Sequence, residues 1–393
     1  KYYYSLICFF ILLCVPFNIS AKENDVLIEA RDDLKFESVI ERTKKSVVLL
    51  SMNPNVDPET DPSKTGLCSG VVIDKIGHVL TNFHCVYNQN YLRLYYYDED
   101  DWQNYEVNVI GLDPLADLAL IKVIGKEEPI PHLEFAENAG EIKSGTDVFA
   151  LGHPMGMVWT VTKGIISSTE RYARHPFIKA VQTDSAINKG NSGGPLLNMR
   201  GEIVGINAMI VSRISENAGV GLAVRGDIAE KSVESMLATG KVNRPAIGVM
   251  IMPLGQPKQR DKIINEFPIL KPKFIPNTFG VFVRPSENLP KGIKKFDTII
   301  GINDKMTNDG LQFSDEINKY NIGDVITLTI IRKRRYLKVD VPLKVFPVDA
   351  DAMYSQIRVP PLLPPDGILF PLESSLVLAG SISNPFDSCV TSS

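Results

Sequence analysis

The chain has 393 residues, 44% of them hydrophobic, and a net charge of −4. This describes a globular protein of two or three domains with ample material for a core. The acidic balance argues against a nucleic-acid surface, and without HExxH or CxxC patterns no metal and no cofactor is implied.

Lys1 and three tyrosines precede a 12-residue apolar run from Leu6 to Phe17, then Ile19-Ser20-Ala21, then a charged stretch opening with Lys22-Glu23. This pattern predicts a secretory signal over residues 1–21, cut after Ala21. Twelve apolar residues are few for a membrane span; counting Tyr2–Tyr4 as well makes an uncleaved N-terminal anchor the alternative. Residues 22–35 read as an exposed leader. A helix is expected over Phe36–Lys45, a strand over Val47–Leu50 and a polar loop over Asn53–Thr65. From 66 to 224 short strands alternate with turn residues, as in a pair of antiparallel barrels.

Three residues in that stretch carry chemistry. His84 follows the apolar run Val79–Phe83, which reads as a strand entering a short turn; on its own such a histidine is more often structural. Asp117 opens the apolar run Leu118–Val123, where an unpaired carboxylate would be costly to bury and a strand-cap role is the plain alternative. Ser192 lies in Gly190-Asn191-Ser192-Gly193-Gly194-Pro195. Glycines allow positive φ and close backbone approach, so this serine can present its hydroxyl beside converging N–H groups, although many such strings are turns. The order His, Asp, Ser, with gaps of 33 and 75 residues, suits a two-barrel serine-protease arrangement.

Further on, Asp227 and Glu230 predict a capping box at the start of a helix over 228–239, closed by Gly240. Residues 241–245 form a short linker. Arg332-Lys333-Arg334-Arg335 is the one compact basic run and reads as a solvated hairpin turn between two β-like stretches. In the tail, 347–393, a proline cluster at 360–365 excludes a helix there, and the segment is expected to be disordered.

The segments TNFHCV, DPLADLALIKV, ALGHPMG, VTKGIIS, QTDSAINKGNSGGPLLN, GEIVGINA and GVGLAV occur in that order. Together they closely resemble the HtrA (Deg) family of chymotrypsin-like serine proteases, over roughly residues 36–346. The resemblance implies a mainly β fold: a double six-stranded antiparallel barrel over 36–240, followed by one PDZ domain over 246–346. It implies His84 as general base then acid, Asp117 as its orienter and Ser192 as nucleophile. An oxyanion hole is expected in Gly190-Asn191-Ser192, from the N–H groups of Gly190 and Ser192. Chymotrypsin-like zymogens carry an Asp where Asn191 stands, and an uncharged Asn191 cannot pair with a newly cut N-terminal ammonium. Control by loop ordering and oligomerisation is implied instead, with Phe36 where the family places trimer-stacking aromatics. His153 stands where the family usually has Asn.

In this fold Ala186 would floor the primary substrate pocket beside Ile187, with a wall from Ile206, Asn207, Ala208, Val220, Gly221 and Leu222. No carboxylate awaits Lys or Arg, so aliphatic P1 residues are expected; the plain alternative is that these residues are barrel core. Chymotrypsin and its relatives carry a disulfide where Cys68 and Cys85 stand, which most HtrA proteins lack. A Cys68–Cys85 bridge is therefore expected, with two buried free thiols as the alternative. Cys85 as a rival nucleophile is disfavoured. In the PDZ part, Ala246-Ile247-Gly248-Val249 matches the loop that grips a peptide carboxylate. Phe296 stands where Gly is usual, and residues 254–279 form a longer insertion; both speak against ordinary peptide binding. The implied partners are unfolded polypeptides, C-terminal peptides and copies of the chain in a trimer or larger oligomer. The implied location is periplasmic or secreted. The reading in another class is a chaperone or peptide-binding module with a latent protease domain.

Overall fold

The computed structural model of the protein describes residues 35–351 apart from 54–67, 99–100, 155–156, 158, 173–177, 211–218, 256, 278 and 349. The signal, the leader up to 34, most of the polar loop and the tail from 352 lie outside the described residues. Among the described residues no helix is long and apolar enough to cross a membrane.

Six strands close the first barrel: β1 (Val47–Ser51), β2 (Cys68–Val72), β3 (His78–Thr81), β4 (Arg93–Asp98), β5 (Asp101–Asp113) and β6 (Leu118–Val123), in the order β1-β2-β3-β6-β5-β4. Six more close the second: β7 (Asp147–Gly152), β8 (Thr160–Tyr172), β9 (Lys179–Thr183), β10 (Pro195–Asn198), β11 (Ile203–Ile210) and β12 (Gly221–Arg225). Counted from its own first strand, the second barrel has the same order as the first.

β6 is almost wholly apolar because both its faces are buried. Leu118 and Leu120 enter a core shared by the two barrels, while Ala119, Ile121 and Val123 fill the first barrel. β7 and β12 mirror this: Phe149, Leu222 and Val224 join the shared core, and Val148, Ala150 and Ala223 fill the second barrel. The period-two alternation of a strand thus assigns each side chain to one of two buried layers.

Helix α1, over 35–44, lays Phe36 edge-on against Phe149, centroids 5.2 Å apart, so this aromatic packs within its own chain. Helix α2 (Phe83–Val86) is a single turn after β3. Helix α3 (Gly226–Thr239) buries Ala229, Ser232, Val233 and Met236, an i, i+3, i+4, i+7 stripe. Its start corrects the capping-box expectation. The N-cap is Arg225 without a side-chain cap, because the Arg225 guanidinium holds both oxygens of Asp227 at 2.5 and 2.7 Å. Gly240 closes the helix in the left-handed conformation, φ 72°.

The remaining strands are β13 (Pro245–Ala246), β14 (Ile251–Pro253), β15 (Val281–Val283), β16 (Thr298–Ile302), β17 (Lys305–Met306), β18 (Val325–Arg332), β19 (Arg335–Pro342) and β20 (Lys344–Val345). They form a sheet of order β14-β15-β16-β18-β19 with β17 beside β16, and a β13-β20 pair. Helix α5 (Gly310–Ile317) shares a core with Val281 and Val283, whereas Phe282, on the opposite face of β15, packs with Ile263 of helix α4 (Pro257–Glu266). Lys333 and Arg334, both at positive φ, form the tight turn between β18 and β19, while Arg332 turns back to Asp297 at 2.7 Å.

Candidate active site

His84 sits on α2, immediately beyond the barrel strand that delivers it. Asp117 occupies the turn between β5 and β6, 5% exposed, at φ 55°. A non-glycine residue held there stores about 1–2 kcal/mol of backbone strain, a cost found where geometry is functional. The turn is tied down on several sides: the Asp117 carbonyl accepts from Phe83 N–H at 3.1 Å and from Asn82 Nδ2 at 2.8 Å. Asp117 Oδ1 accepts the His84 backbone N–H at 3.0 Å, and its two oxygens lie 3.0 and 2.8 Å from His84 Nδ1. A carboxylate only accepts, so Nδ1 carries the proton and Nε2 is left with its lone pair, the form a general base needs.

The Gly190–Gly194 segment crosses from the second barrel onto the first. Ser192 O accepts from Ser69 N–H at 2.8 Å. A Cβ on Gly193 would lie 2.3 Å from both Ser69 O and Thr81 Oγ1, and its φ of 84° is the glycine region, so no other residue fits behind the serine. Ser69 follows Cys68, Thr81 and Asn82 precede His84, and the Cys68–Cys85 disulfide (Cα–Cα 6.1 Å) joins β2 to α2. His84 and Ser192 are thereby brought to one seam between the barrels; among the described residues no hydrogen bond joins them, as is common without substrate. Cys85 is fully buried and bonded to Cys68, which removes it as a nucleophile. It also removes the Cys68–His84–Cys85 cluster as a metal site, since neither sulfur is a thiolate.

Backbone bonding in the segment alternates. Asn191 N–H donates to Asn188 O at 3.0 Å, Gly193 N–H to Asn207 O at 2.8 Å and Gly194 N–H to Asn191 O at 2.9 Å. Among the described residues the N–H groups of Gly190 and Ser192 donate to nothing. Asn191 is therefore corrected as a member of the expected oxyanion set: its N–H closes a turn, and its Nδ2 reaches Ala186 O at 3.4 Å.

The expected pocket is only partly a pocket. Ile206, Ala208 and Leu222 belong to the shared barrel core rather than to a cleft wall, and Asn207 braces the serine segment, its Nδ2 donating to Pro195 O at 3.1 Å and its carbonyl accepting from Gly193 N–H at 2.8 Å. Ala186 and Val220 are half-buried, and Ile187 lies across Gly221, where a Cβ would meet its Cδ1 at 2.7 Å. Missed in the sequence are Asn82, which holds the Asp117 turn, and Ser69, which holds the serine segment. Their only signals are adjacency to Phe83-His84 and to Cys68.

A model of the trypsin-like peptidase domain family matches residues 68–206. A curated relative from Chlamydia pneumoniae, described as a probable periplasmic serine endoprotease DegP-like, is 32% identical over 293 residues, 74% of this chain and 57% of its own. One from Brucella suis with the same description is 30% identical over 292 residues, 73% of this chain and 54% of its own. The chain thus spans just over half the length of the curated relatives it matches. Among solved structures, the HtrA-type protease AlgW with a decapeptide superposes with a TM-score of 0.65 at 24% identity, covering 80% of this chain and 99% of that one. The serine endoprotease from Yersinia pestis superposes with a TM-score of 0.59 at 26% identity, covering 79% and 97%.

The chain belongs to the HtrA/Deg family. The two closed barrels are the chymotrypsin-like part of that fold. In this HtrA/Deg chain residues 247–250 link β13 to β14. Ile247 and Val249 are anchored in the core of the C-terminal sheet, and Gly248, φ 71°, turns outward between them, where a Cβ would meet nothing within 4 Å. Ala246 is corrected as part of the open loop: it is buried and paired with Lys344 in the β13–β20 ladder.

Proposed function

We propose that the protein is a serine endopeptidase that cleaves unfolded polypeptides through an acyl-enzyme. The observation that carries this reading is the Asp117–His84 pair, 2.8 Å apart and oriented with Nδ1 protonated, at the seam where Ser192 is presented. In the first step His84 Nε2 takes the Ser192 proton as Oγ attacks the scissile carbonyl. The carbonyl oxygen becomes an oxyanion received by the unoccupied N–H groups of Gly190 and Ser192, each such donor supplying about 3–4 kcal/mol to the transition state. His84 then returns the proton to the leaving amine, and water repeats the cycle on the ester. Asp117 stabilises the imidazolium that forms in between. Asn191 carries no charge to pair with an N-terminal ammonium, and its backbone N–H already closes a turn on Asn188 O at 3.0 Å, so activation by such a salt bridge is not expected.

Ala186, Ile187 and Val220 support a small apolar P1 residue. Residues 246–346 are proposed as a PDZ domain, with Ile247-Gly248-Val249 as the carboxylate loop and β14 as the edge to which a peptide adds. Helix α4 packs on the face of the sheet opposite α5, so the insertion does not lie between β14 and α5 among the described residues; Pro253 has no N–H, so an added strand has one donor fewer. The descriptions of the relatives support a periplasmic location. The second reading is a chaperone or peptide-binding module with a latent protease domain.

Labelling of the full chain with a fluorophosphonate, with and without unfolded casein, separates the two. Ser192-dependent labelling with casein cleavage, both abolished in Ser192→Ala, is expected. No labelling in either condition, with casein aggregation still suppressed, would overturn the protease reading in favour of the chaperone.

A further inference from the structure

We infer that Ser69 and His153 are positioning residues for the oxyanion hole, holding the Gly190 and Ser192 carbonyls and so fixing the course of the backbone that carries the Gly190 and Ser192 N–H groups past the reacting centre. The inference rests on the reading of Ser192 as nucleophile. Ser69, on β2, holds both carbonyls of the serine segment whose own N–H groups are unoccupied. Its backbone N–H donates to Ser192 O at 2.8 Å and its hydroxyl donates to Gly190 O at 2.6 Å. The peptide plane between Gly190 and Asn191 is then pinned at both ends, because Asn191 N–H is bonded to Asn188 O. Gly190, at φ 103°, has the freedom of a glycine, and without the Ser69 hydroxyl its peptide would be held on one side only.

The Ser69 hydroxyl is in turn held by His153. The His153 N–H donates to Ser69 Oγ at 3.0 Å and Nδ1 lies 3.3 Å from it. Counting protons sets the direction of each bond. A hydroxyl has one proton and two lone pairs, and a carbonyl only accepts. The proton goes to Gly190 O, so both His153 groups are donors and the imidazole carries its hydrogen on Nδ1. Nε2, buried and without a partner, is the deprotonated nitrogen. The hydroxyl is saturated and its rotamer set. Both residues are fully buried, out of reach of substrate, so they act through Gly190.

The test measures kcat and KM on a peptide with an aliphatic P1 residue, and the affinity of a peptidyl boronate, one oxygen of which occupies the hole. Ser69→Ala should lower kcat about 10–100-fold with KM within about twofold, and weaken the boronate by a similar factor. His153→Leu should act in the same direction. His153→Asn should recover most of the rate, because Asn Nδ2 is attached to Cγ as Nδ1 is and can donate to the same oxygen. Full kcat in both Ser69→Ala and His153→Leu, or a rise in KM matching any fall in kcat with boronate affinity unchanged, would overturn the inference. Should Ser69→Ala not fold, the His153→Leu and His153→Asn pair decides alone: equal rates in the two overturn it. Wild-type protein without Ser192-dependent turnover overturns the protease reading itself, an outcome distinct from an active wild type beside an unimpaired Ser69→Ala.

Discussion

His153 is fully buried with no ionised partner, and burial lowers its pKa from the ordinary 6.5 to about 3. The folded protein therefore refuses a proton that the unfolded chain accepts. Below about pH 6.5 the unfolded state binds more protons, so stability is lost as pH falls from there towards about 3, by on the order of a few kcal/mol in full. His153→Asn has no such group. Its thermal midpoint should fall less than that of the wild type between pH 6.5 and 4, the two converging near pH 7 apart from a constant offset; parallel curves across that range would refute it. The same residue scale explains why the Asp117 turn persists in an unfavourable backbone region: two hydrogen bonds to its carbonyl and two more to its carboxylate oppose the strain.

At the scale of elements, the Cys68–Cys85 bridge ties the start of β2 to the helix that carries His84. It closes a separation of 17 residues, for which the chain-entropy account assigns about 3 kcal/mol. The double variant Cys68→Ala, Cys85→Ala should unfold at correspondingly lower denaturant concentration, and a thiol assay on non-reduced protein should find both sulfurs unreactive. Free thiols at these positions would contradict the pairing. In the C-terminal sheet, two departures from the family pattern are one feature. Phe296 takes the left-handed φ of 72° that glycine would take freely, and its ring packs against Phe267, just beyond α4, and Phe282, centroids 5.6 and 6.0 Å away. The insertion supplies the aromatic layer that makes the strained Phe296 worthwhile.

Across the whole molecule, the connection between the barrels and the C-terminal sheet is held rather than loose. Asp113, 1% exposed at the end of β5, takes both Arg244 nitrogens at 2.7 and 2.6 Å and the Ser232 hydroxyl at 2.7 Å. Phe346 returns to the shared barrel core, and Lys179 on β9 pairs with Asp315 on α5 at 2.8 Å. Arg244→Ala leaves the Asp113 carboxylate buried without its cation, which should cost about 3–5 kcal/mol in chemical denaturation. Arg244→Lys should recover only part of that, since a single ammonium cannot make the paired contact. A loss below about 1 kcal/mol in Arg244→Ala would refute this role.

Much was legible from local pattern. A continuous apolar run such as β6 announces a strand buried on both faces, because it is written in neighbouring residues; the ordered family segments around His84, Asp117 and Ser192 announce two barrels although they lie far apart in the chain. What the tertiary structure alone decided involves residues far apart in the chain. The capping box yielded to an Arg225–Asp227 pair, Ile206 and Leu222 went to the core instead of a pocket wall, and Asn191 N–H closed a turn. Ser69 and His153 met 84 residues apart in sequence, at a seam between barrels. Hydrogen-bond competition and strand facing are settled only once both barrels are closed. The chain supplies the side chains proposed to react, and the closed barrels choose which of the described backbone N–H groups remain free beside Ser192.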